Sequence, residues 1–244
     1  MLEEILNWER EAFLWLHGGH SPFWDMFIWL YSGKFAWIPA AALIILTLVW
    51  KKQWKEWLIL LIFIALVVLL CDRFTSGFCK PFFARLRPTH HPDFAEHIQT
   101  VFGYRGGRYG FISGHAANAF GFAVFSLLLF RDRWYTTVIL LWSVCMIYTR
   151  IYLGVHFISD VVPGALTGSL FGFACYKMYA PTRRMIVGQT VPSPVYTRFQ
   201  IRMILCAIAL TLAGMLAYSG MKKTDVPEKT TLSVSCILSD RFSV

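Results

Sequence analysis

Two histidines, three cationic side chains and one carboxylate fall in three short polar clusters of an otherwise apolar chain. The first cluster reads Lys80-Pro-Phe-Phe-Ala-Arg85-Leu-Arg87-Pro88, the second Ser113-Gly114-His115, and the third Thr149-Arg150 followed by His156 and Asp160. His156 and Asp160 have i, i+4 spacing, so on a helix the carboxylate can hydrogen-bond one imidazole nitrogen. Such a bond fixes the tautomer and leaves the other nitrogen free to attack an electrophile. His115 is a second imidazole. One histidine as nucleophile and one as general acid make a complete set for phosphoryl transfer. Lys80 and Arg87, seven residues apart, return to the same helix face, and Arg150 is the third cation. Three cations within reach of one another repel unless an anion sits between them. Phosphate is the natural anion, and Arg matches its oxygens as a bidentate donor. Ser113 adds a hydroxyl, the Ser113-Gly114 backbone opens a helix whose N–H groups face anions, and Gly114 lets the chain come close to the ligand. The cations can neutralise developing charge, so the set requires no metal and no other cofactor.

Each member alone has a plainer account. Lys80 or Arg87 at a helix end can snorkel to lipid headgroups. His115 can be a satisfied polar residue at a helix start, and His156 with Asp160 a structural pair. Asp72 keeps its plain reading, as partner of a neighbouring basic group. The plain accounts fail on the conjunction, because topology sends all three clusters to the same side.

The clusters resemble those of the type 2 phosphatidic acid phosphatase superfamily: Lys-x6-Arg-Pro, Pro-Ser-Gly-His, and Ser-Arg-x5-His-x3-Asp. Here they stand as Lys80…Arg87-Pro88, Ile112-Ser113-Gly114-His115 and Thr149-Arg150…His156…Asp160, in the same order, over roughly residues 71–172. Ile112 replaces a proline that carries no side-chain chemistry. Thr149 replaces a serine, keeping the hydroxyl but adding a methyl that can crowd a phosphate. The resemblance implies that His156 forms a phosphohistidine, that Asp160 orients it, and that His115 protonates the leaving oxygen and then activates water. It also implies that Lys80, Arg87, Ser113, Gly114 and Arg150 hold the phosphate. Family substrates are lipid phosphates: phosphatidic acid, phosphatidylglycerol phosphate, prenyl diphosphates and lipid A.

The elements that must position these residues are membrane helices. The chain has 244 residues, 57% of apolar types and only 15% charged, with a mean hydropathy of +0.53. A soluble domain carries nearer a quarter charged residues. Ten Trp and ten Tyr suit interfacial belts. The net charge of +9 does not indicate nucleic acid, because the basic residues sit at the ends of apolar runs rather than in one stripe. The six Cys lack metal spacing and read as small buried hydrophobes.

The expected fold is all-α. Residues 1–20 carry an interfacial amphipathic helix (Leu2–His17), with Leu2, Ile5, Leu6, Phe13 and Leu16 on one face. Ser21-Pro22 starts a new element. Residues 35–220 form a bundle of six transmembrane helices near Phe35–Trp50, Trp57–Cys79, Gly114–Phe130, Trp134–Tyr152, Phe157–Tyr179 and Ile201–Tyr218. Residues 1–220 make one domain, and 221–244 a disordered polar tail. The short basic loops at Lys51-Lys52, Arg131/Arg133 and Arg183-Arg184 lie on one membrane face, assigned to the cytoplasm. The three clusters then face outward, at the periplasmic side of a bacterial inner membrane.

The polar segment Thr89–Tyr109 should roof the site. Arg105 and Arg108 flank Gly106-Gly107 and suit a second phosphate or a sugar. The His90-His91-Pro92-Asp93 run has no helix-spaced ligand pair and is not read as a metal site. A roof of this size favours a large headgroup, and together with the resemblance to bacterial lipid A phosphatases it places lipid A and undecaprenyl diphosphate ahead of phosphatidic acid. A phosphotransferase would use the same residues. A non-catalytic lipid-binding or transport protein would be expected to lack at least one of them.

Overall fold

The structure, a computed structural model, describes residues 2–92, 94–188 and 196–222. Among these residues the regular structure is helical, with one isolated antiparallel bridge between Leu86 and Tyr109. The helices are α1 (Leu2–His17), α2 (Pro22–Ser32), α3 (Ile38–Val49), α4 (Trp54–Asp72), α5 (Lys80–Phe83), α6 (Gly114–Phe130), α7 (Arg133–Tyr152), α8 (Ile158–Val187) and α9 (Arg198–Lys222). A π-helical stretch, Arg73–Cys79, joins α4 to α5. The expected disordered tail lies outside the described residues except for Met221 and Lys222, which end α9.

Local chemistry sets several boundaries. Ser21 caps α2 by accepting the Trp24 N–H at 3.2 Å, with Pro22 in the first turn. Asp132 caps α7 by accepting the Tyr135 N–H at 2.9 Å. Gly188 closes α8 with φ +70°.

Among the described residues, four helices are long and apolar enough to cross a membrane: Trp54–Phe83, Arg133–Tyr152, Ile158–Val187 and Arg198–Lys222. Pro22–Ser32 and Phe35–Val49 would make a fifth together, bent by 71° at the break between them. The Trp37 indole donates to the Tyr31 carbonyl across that break at 2.7 Å. Large apolar side chains lie exposed along these helices, among them Ile62, Leu69, Leu141, Leu166, Leu170 and Leu210. Exposed apolar surface of this extent suits lipid rather than water. Cys71, Cys79 and Cys175 are buried as expected, whereas Cys145 and Cys206 lie on exposed helix surfaces. Cys236 lies outside the described residues.

The core of the bundle is the contact between α6 and α8. Gly164, Gly168 and Gly172 recur every four residues on α8 and face Ser113, Ala117 and Gly121 on α6. A β-carbon on Gly164 would stand 2.6 Å from the Ser113 carbonyl oxygen; one on Gly168 or Gly172 would overlap the Ala117 or Gly121 carbonyl. Small residues at this spacing let two backbones touch, the means by which membrane helices gain packing without a hydrophobic driving force. α4 joins the same seam, since Val67 and Cys71 lie 2.9 and 3.1 Å from where a Gly121 β-carbon would be. Away from the three clusters, Arg183 of α8 donates to Glu56 of α4 at 2.5 Å, both buried, with the Lys52 ammonium 3.9 Å from the same carboxylate.

α1 spans the expected residues but buries Glu9, Phe13 and His17, while Trp8 and Trp15 are exposed. The side chains of Leu2, Ile5 and Leu6 lie outside the described residues. Phe13 packs on Phe94 and Phe157. The His17 Nδ1 is 2.9 Å from the Tyr152 carbonyl, and its Nε2 accepts the Gln99 N–H at 3.1 Å. The accepting Nε2 requires a neutral ring with its proton on Nδ1. Burial agrees, pushing the His17 pKa down to about 4. α1 is thereby pinned to the end of α7 and to the segment over the clusters.

The glycine seam yields a direct test. Gly168→Ala should cost about 1–3 kcal/mol through forced separation of α6 and α8, read as a lowered midpoint of thermal unfolding in detergent. Gly214→Ala on α9, where a β-carbon meets nothing within 4 Å, should leave the midpoint unchanged or raise it, because alanine favours helix by about 1 kcal/mol.

Candidate active site

The third cluster sits where α7 ends and α8 begins. His156 occupies the short link between them and is 1% exposed. Asp160, in the first turn of α8, is fully buried. Its Oδ2 accepts the Phe157 N–H at 3.0 Å, as a third-position carboxylate does in a capping box. The same oxygen lies 3.4 Å from His156 Nδ1, which leaves Nε2 as the nitrogen with no carboxylate beside it. The other oxygen, Oδ1, accepts from Arg85 at 2.8 Å. Burial pushes the His156 pKa down to about 4, with Arg87 and Arg150 adding to the shift and Asp160 opposing it. The imidazole is therefore neutral at physiological pH, the form of the ring that has a lone pair to share.

The second cluster abuts the third through the backbone. The Ser113 N–H donates to the Asp160 carbonyl at 2.9 Å. Ser113 caps α6, its hydroxyl lying 3.4 Å from the Ala116 nitrogen. His115 follows in the first turn and is exposed. Its charged or titratable neighbours are Arg150, His156, Arg87 and Lys80, which places it among all three clusters.

Each cation of the cradle is fixed differently. Lys80 donates to the Ser76 hydroxyl at 3.1 Å, one turn back. Its ammonium is 3.9 Å from where a Gly114 β-carbon would stand, so the two clusters meet at that glycine. Thr75 lies there too, with its fully buried hydroxyl 3.1 Å from the same point and no hydrogen-bond partner. Arg87 is buried and donates to the carbonyls of Tyr109 (3.0 Å) and Val155 (3.5 Å), which fixes its guanidinium plane. Arg150, also buried, donates through Nε to the Thr149 hydroxyl at 3.1 Å and through Nη2 to Ser32 of α2. Thr149 passes its own proton to the Met146 carbonyl at 2.7 Å. The threonine that departs from the family pattern thus turns its hydroxyl toward Arg150.

The segment between α5 and α6 folds back on the first cluster. Arg87 N–H donates to the Arg108 carbonyl at 3.2 Å and Gly110 N–H to the Arg85 carbonyl at 2.8 Å. Thr89 donates to the Arg105 carbonyl at 2.8 Å. The side chains of Arg105 and Arg108 are exposed, and Arg108 lies over the Tyr109 ring. These two reach solvent rather than the buried cradle. Asp93 lies outside the described residues. No group of three His, Cys, Asp or Glu side chains able to hold a metal occurs among the described residues.

Four contributors escape a reading of motifs. Arg85 and Ser32 touch the cradle through contacts that no spacing rule relates to it. Gly106 and Gly110 act by lacking a side chain. A β-carbon on Gly106 (φ +68°) would stand 2.6 Å from the Arg87 guanidinium, and one on Gly110 would stand 2.9 Å from Asp160 and 3.6 Å from His156 Nδ1. The only sequence signal for them is glycine in a polar segment next to a charged cluster.

Residues 56–184 match the PAP2 superfamily. The chain is 43% identical over 223 residues to the lipid A 4'-phosphatase of Porphyromonas gingivalis, covering 89% of this chain and 94% of that protein. It is 38% identical over 224 residues to the lipid A 4'-phosphatase of Bacteroides thetaiotaomicron, covering 90% and 98%. The crystal structure of Aquifex aeolicus LpxE superposes with a TM-score of 0.51 at 26% identity, covering 68% of this chain and 93% of that one.

Two outcomes follow from the site geometry. Gly110→Ala should reduce turnover while the protein stays folded, because its methyl presses on the Asp160–His156 pair; kcat beside a thermal melt checks this. In histidine-labelled protein, the imidazole signal lost in His156→Asn should titrate near 4. An ordinary midpoint near 6.5 would show that burial and the neighbouring cations do not disfavour the charged ring.

Proposed function

The chain belongs to the PAP2 superfamily, and from that membership and its site we propose that it is a lipid A 4'-phosphatase working through a phosphohistidine. The observation that carries the reading is the meeting of the three polar clusters around one buried His–Asp pair. The two lipid A 4'-phosphatase relatives, matched over about nine-tenths of this chain, support lipid A as the substrate ahead of undecaprenyl diphosphate.

His156 Nε2 attacks phosphorus while Nδ1–H faces the Asp160 carboxylate, which stabilises the cation forming on the ring. The bond from phosphorus to the sugar oxygen breaks, and His115, which takes up a proton once the negative phosphate enters among the surrounding cations, donates that proton to the oxygen. Neutral His115 then takes a proton from water, whose oxygen attacks the phosphohistidine. The P–N bond breaks, phosphate leaves, and both histidines return to their starting states. Lys80, Arg87, Arg150, the Ser113 hydroxyl and the Gly114 backbone hold the phosphoryl oxygens and offset their charge, with no metal needed. Handing the phosphoryl group to another lipid or sugar would use the same residues, and release of free phosphate separates the two activities. Arg105 and Arg108, exposed beside the cradle, are placed for the rest of a large headgroup.

The proposed architecture has six spans. Four are the long helices, one is the bent α2–α3 pair, and the sixth is α6, whose 17 residues sit at the short end of what a bilayer accepts. α1 lies along the interface with Trp8 and Trp15 toward the headgroups. Residues 1–220 act as one domain. Lys51-Lys52, Arg131/Arg133 and Arg183-Arg184 mark the cytoplasmic face, so the site opens to the periplasm and takes its substrate from the outer leaflet of the inner membrane.

Purified protein in detergent with EDTA should release phosphate from lipid A faster than from undecaprenyl diphosphate, phosphatidylglycerol phosphate or phosphatidic acid. His156→Ala should abolish release, and His115→Asn should lower kcat by about 100-fold or more, in line with general acid–base contributions. Dependence on added metal, or equal rates on all four lipids, would overturn the reading.

A further inference from the structure

The N-terminal helix reaches the proposed catalytic centre through a chain of charged groups. Glu9 of α1 is 9% exposed. Its Oε2 accepts from Arg85 Nη2 at 3.0 Å, and its Oε1 accepts the Ser159 N–H at the start of α8 at 2.8 Å. Arg85 Nη1 donates to Asp160 Oδ1 at 2.8 Å and also to the Ser159 hydroxyl. Its guanidinium lies 4.8 Å from the centroid of the Phe157 ring. Asp160 Oδ2 in turn faces His156 Nδ1 at 3.4 Å. One arginine is therefore shared by two buried carboxylates, one from α1 and one from α8. The family match begins at residue 56, so Glu9 comes from outside the segment that carries the three motifs.

The charge arithmetic gives Glu9 a task. Arg85 alone would neutralise Asp160 and weaken its hold on a cationic or phosphorylated His156. With Glu9 on its far side, Arg85 is divided between two anions, and Glu9, Arg85 and Asp160 together keep one negative charge beside the imidazole. Among the described residues, the other charged neighbours of His156 are cations: Arg87 and Arg150 act on it directly, and Lys80 joins them around His115. The negative charge on the Asp160 side is thus the only counterweight among these neighbours for a nucleophile that gains positive charge.

Resting on the phosphatase reading above, we propose that Glu9 is a positioning residue for the reaction, holding Arg85 so that Asp160 stays negative and aligned against His156. A second consequence is that α1 is part of the working site rather than only a membrane anchor.

The test uses the full chain in detergent, with lipid A phosphate release normalised to folded protein by thermal melting, and orthovanadate binding as an independent probe of the cradle. Glu9→Gln keeps an acceptor for Ser159 N–H but removes the charge. It should lower kcat about tenfold with KM and vanadate affinity within about twofold, a coupling of ordinary size for one charged network. Glu9→Asp, which keeps the charge, should recover most of the rate. Arg85→Gln should cost more than Glu9→Gln, because it leaves two carboxylates facing each other. The Glu9→Gln/Arg85→Gln pair should be faster than Arg85→Gln alone. Normal kcat per folded molecule in Glu9→Gln, or strictly additive losses in the pair, would overturn the inference while leaving the phosphatase reading intact. A wild-type protein that neither releases phosphate nor binds vanadate would overturn both. If Glu9→Gln does not fold, Glu9→Asp and the double variant carry the comparison.

Discussion

Two helix backbones in contact hold this site together. Gly164, Gly168 and Gly172 remove every side chain from the stripe of α8 that meets Ser113, Ala117 and Gly121 of α6. At this separation the Ser113 N–H reaches the Asp160 carbonyl. That bond locks the start of α6, which carries His115, to the start of α8, which carries Asp160. An added methylene here would separate the two proposed catalytic walls before it disturbed either histidine. Small-residue packing is a weak force per contact, but it tolerates no displacement, which is what a two-histidine mechanism requires.

Around that lock the protein concentrates positive charge in a buried place. Arg87 and Arg150 are almost wholly buried and are held chiefly by carbonyl and hydroxyl oxygens rather than by carboxylates. Neutral acceptors orient a guanidinium without cancelling its charge, so the cradle keeps its attraction for an anion. The carboxylates Asp160 and Glu9 instead meet at a different arginine, Arg85. In the proposed reaction the first set would hold the phosphate while the second would stabilise His156.

Glycine has a second use in the roof. Gly106 and Gly110 bring the backbone of the polar segment against Arg87 and against the Asp160–His156 pair. The roof therefore fixes the site from above, as α1 does from the side through Glu9 and His17. Neither α1 nor the roof supplies a motif residue. Both shield groups whose pKa and orientation depend on exclusion of water.

Composition and residue spacing were enough to establish an all-helical, apolar chain with its chemistry gathered at helix ends. They also placed His156 beside Asp160, as the structure does at 3.4 Å, because i, i+4 spacing and charge type are local properties that survive without tertiary knowledge. The helix boundaries at Ser21-Pro22 and Gly114 were legible for the same reason, since caps are local hydrogen bonds. What the tertiary structure alone decided was long-range. α1 buries Phe13 on the face its periodicity predicts, but which partners the polar Glu9 and His17 find on that face, Arg85 and Tyr152, is decided by the tertiary structure. Arg85 turns to Asp160 and Glu9, residues 75 and 76 positions away. Ser32 reaches Arg150 across 118 positions, and the short run from Phe35 gains a span's length only by pairing with α2 across a 71° break. A sequence records which groups can interact with near neighbours. Which distant partner each finds depends on how close the backbones can approach, and here the glycines on α8 set that distance.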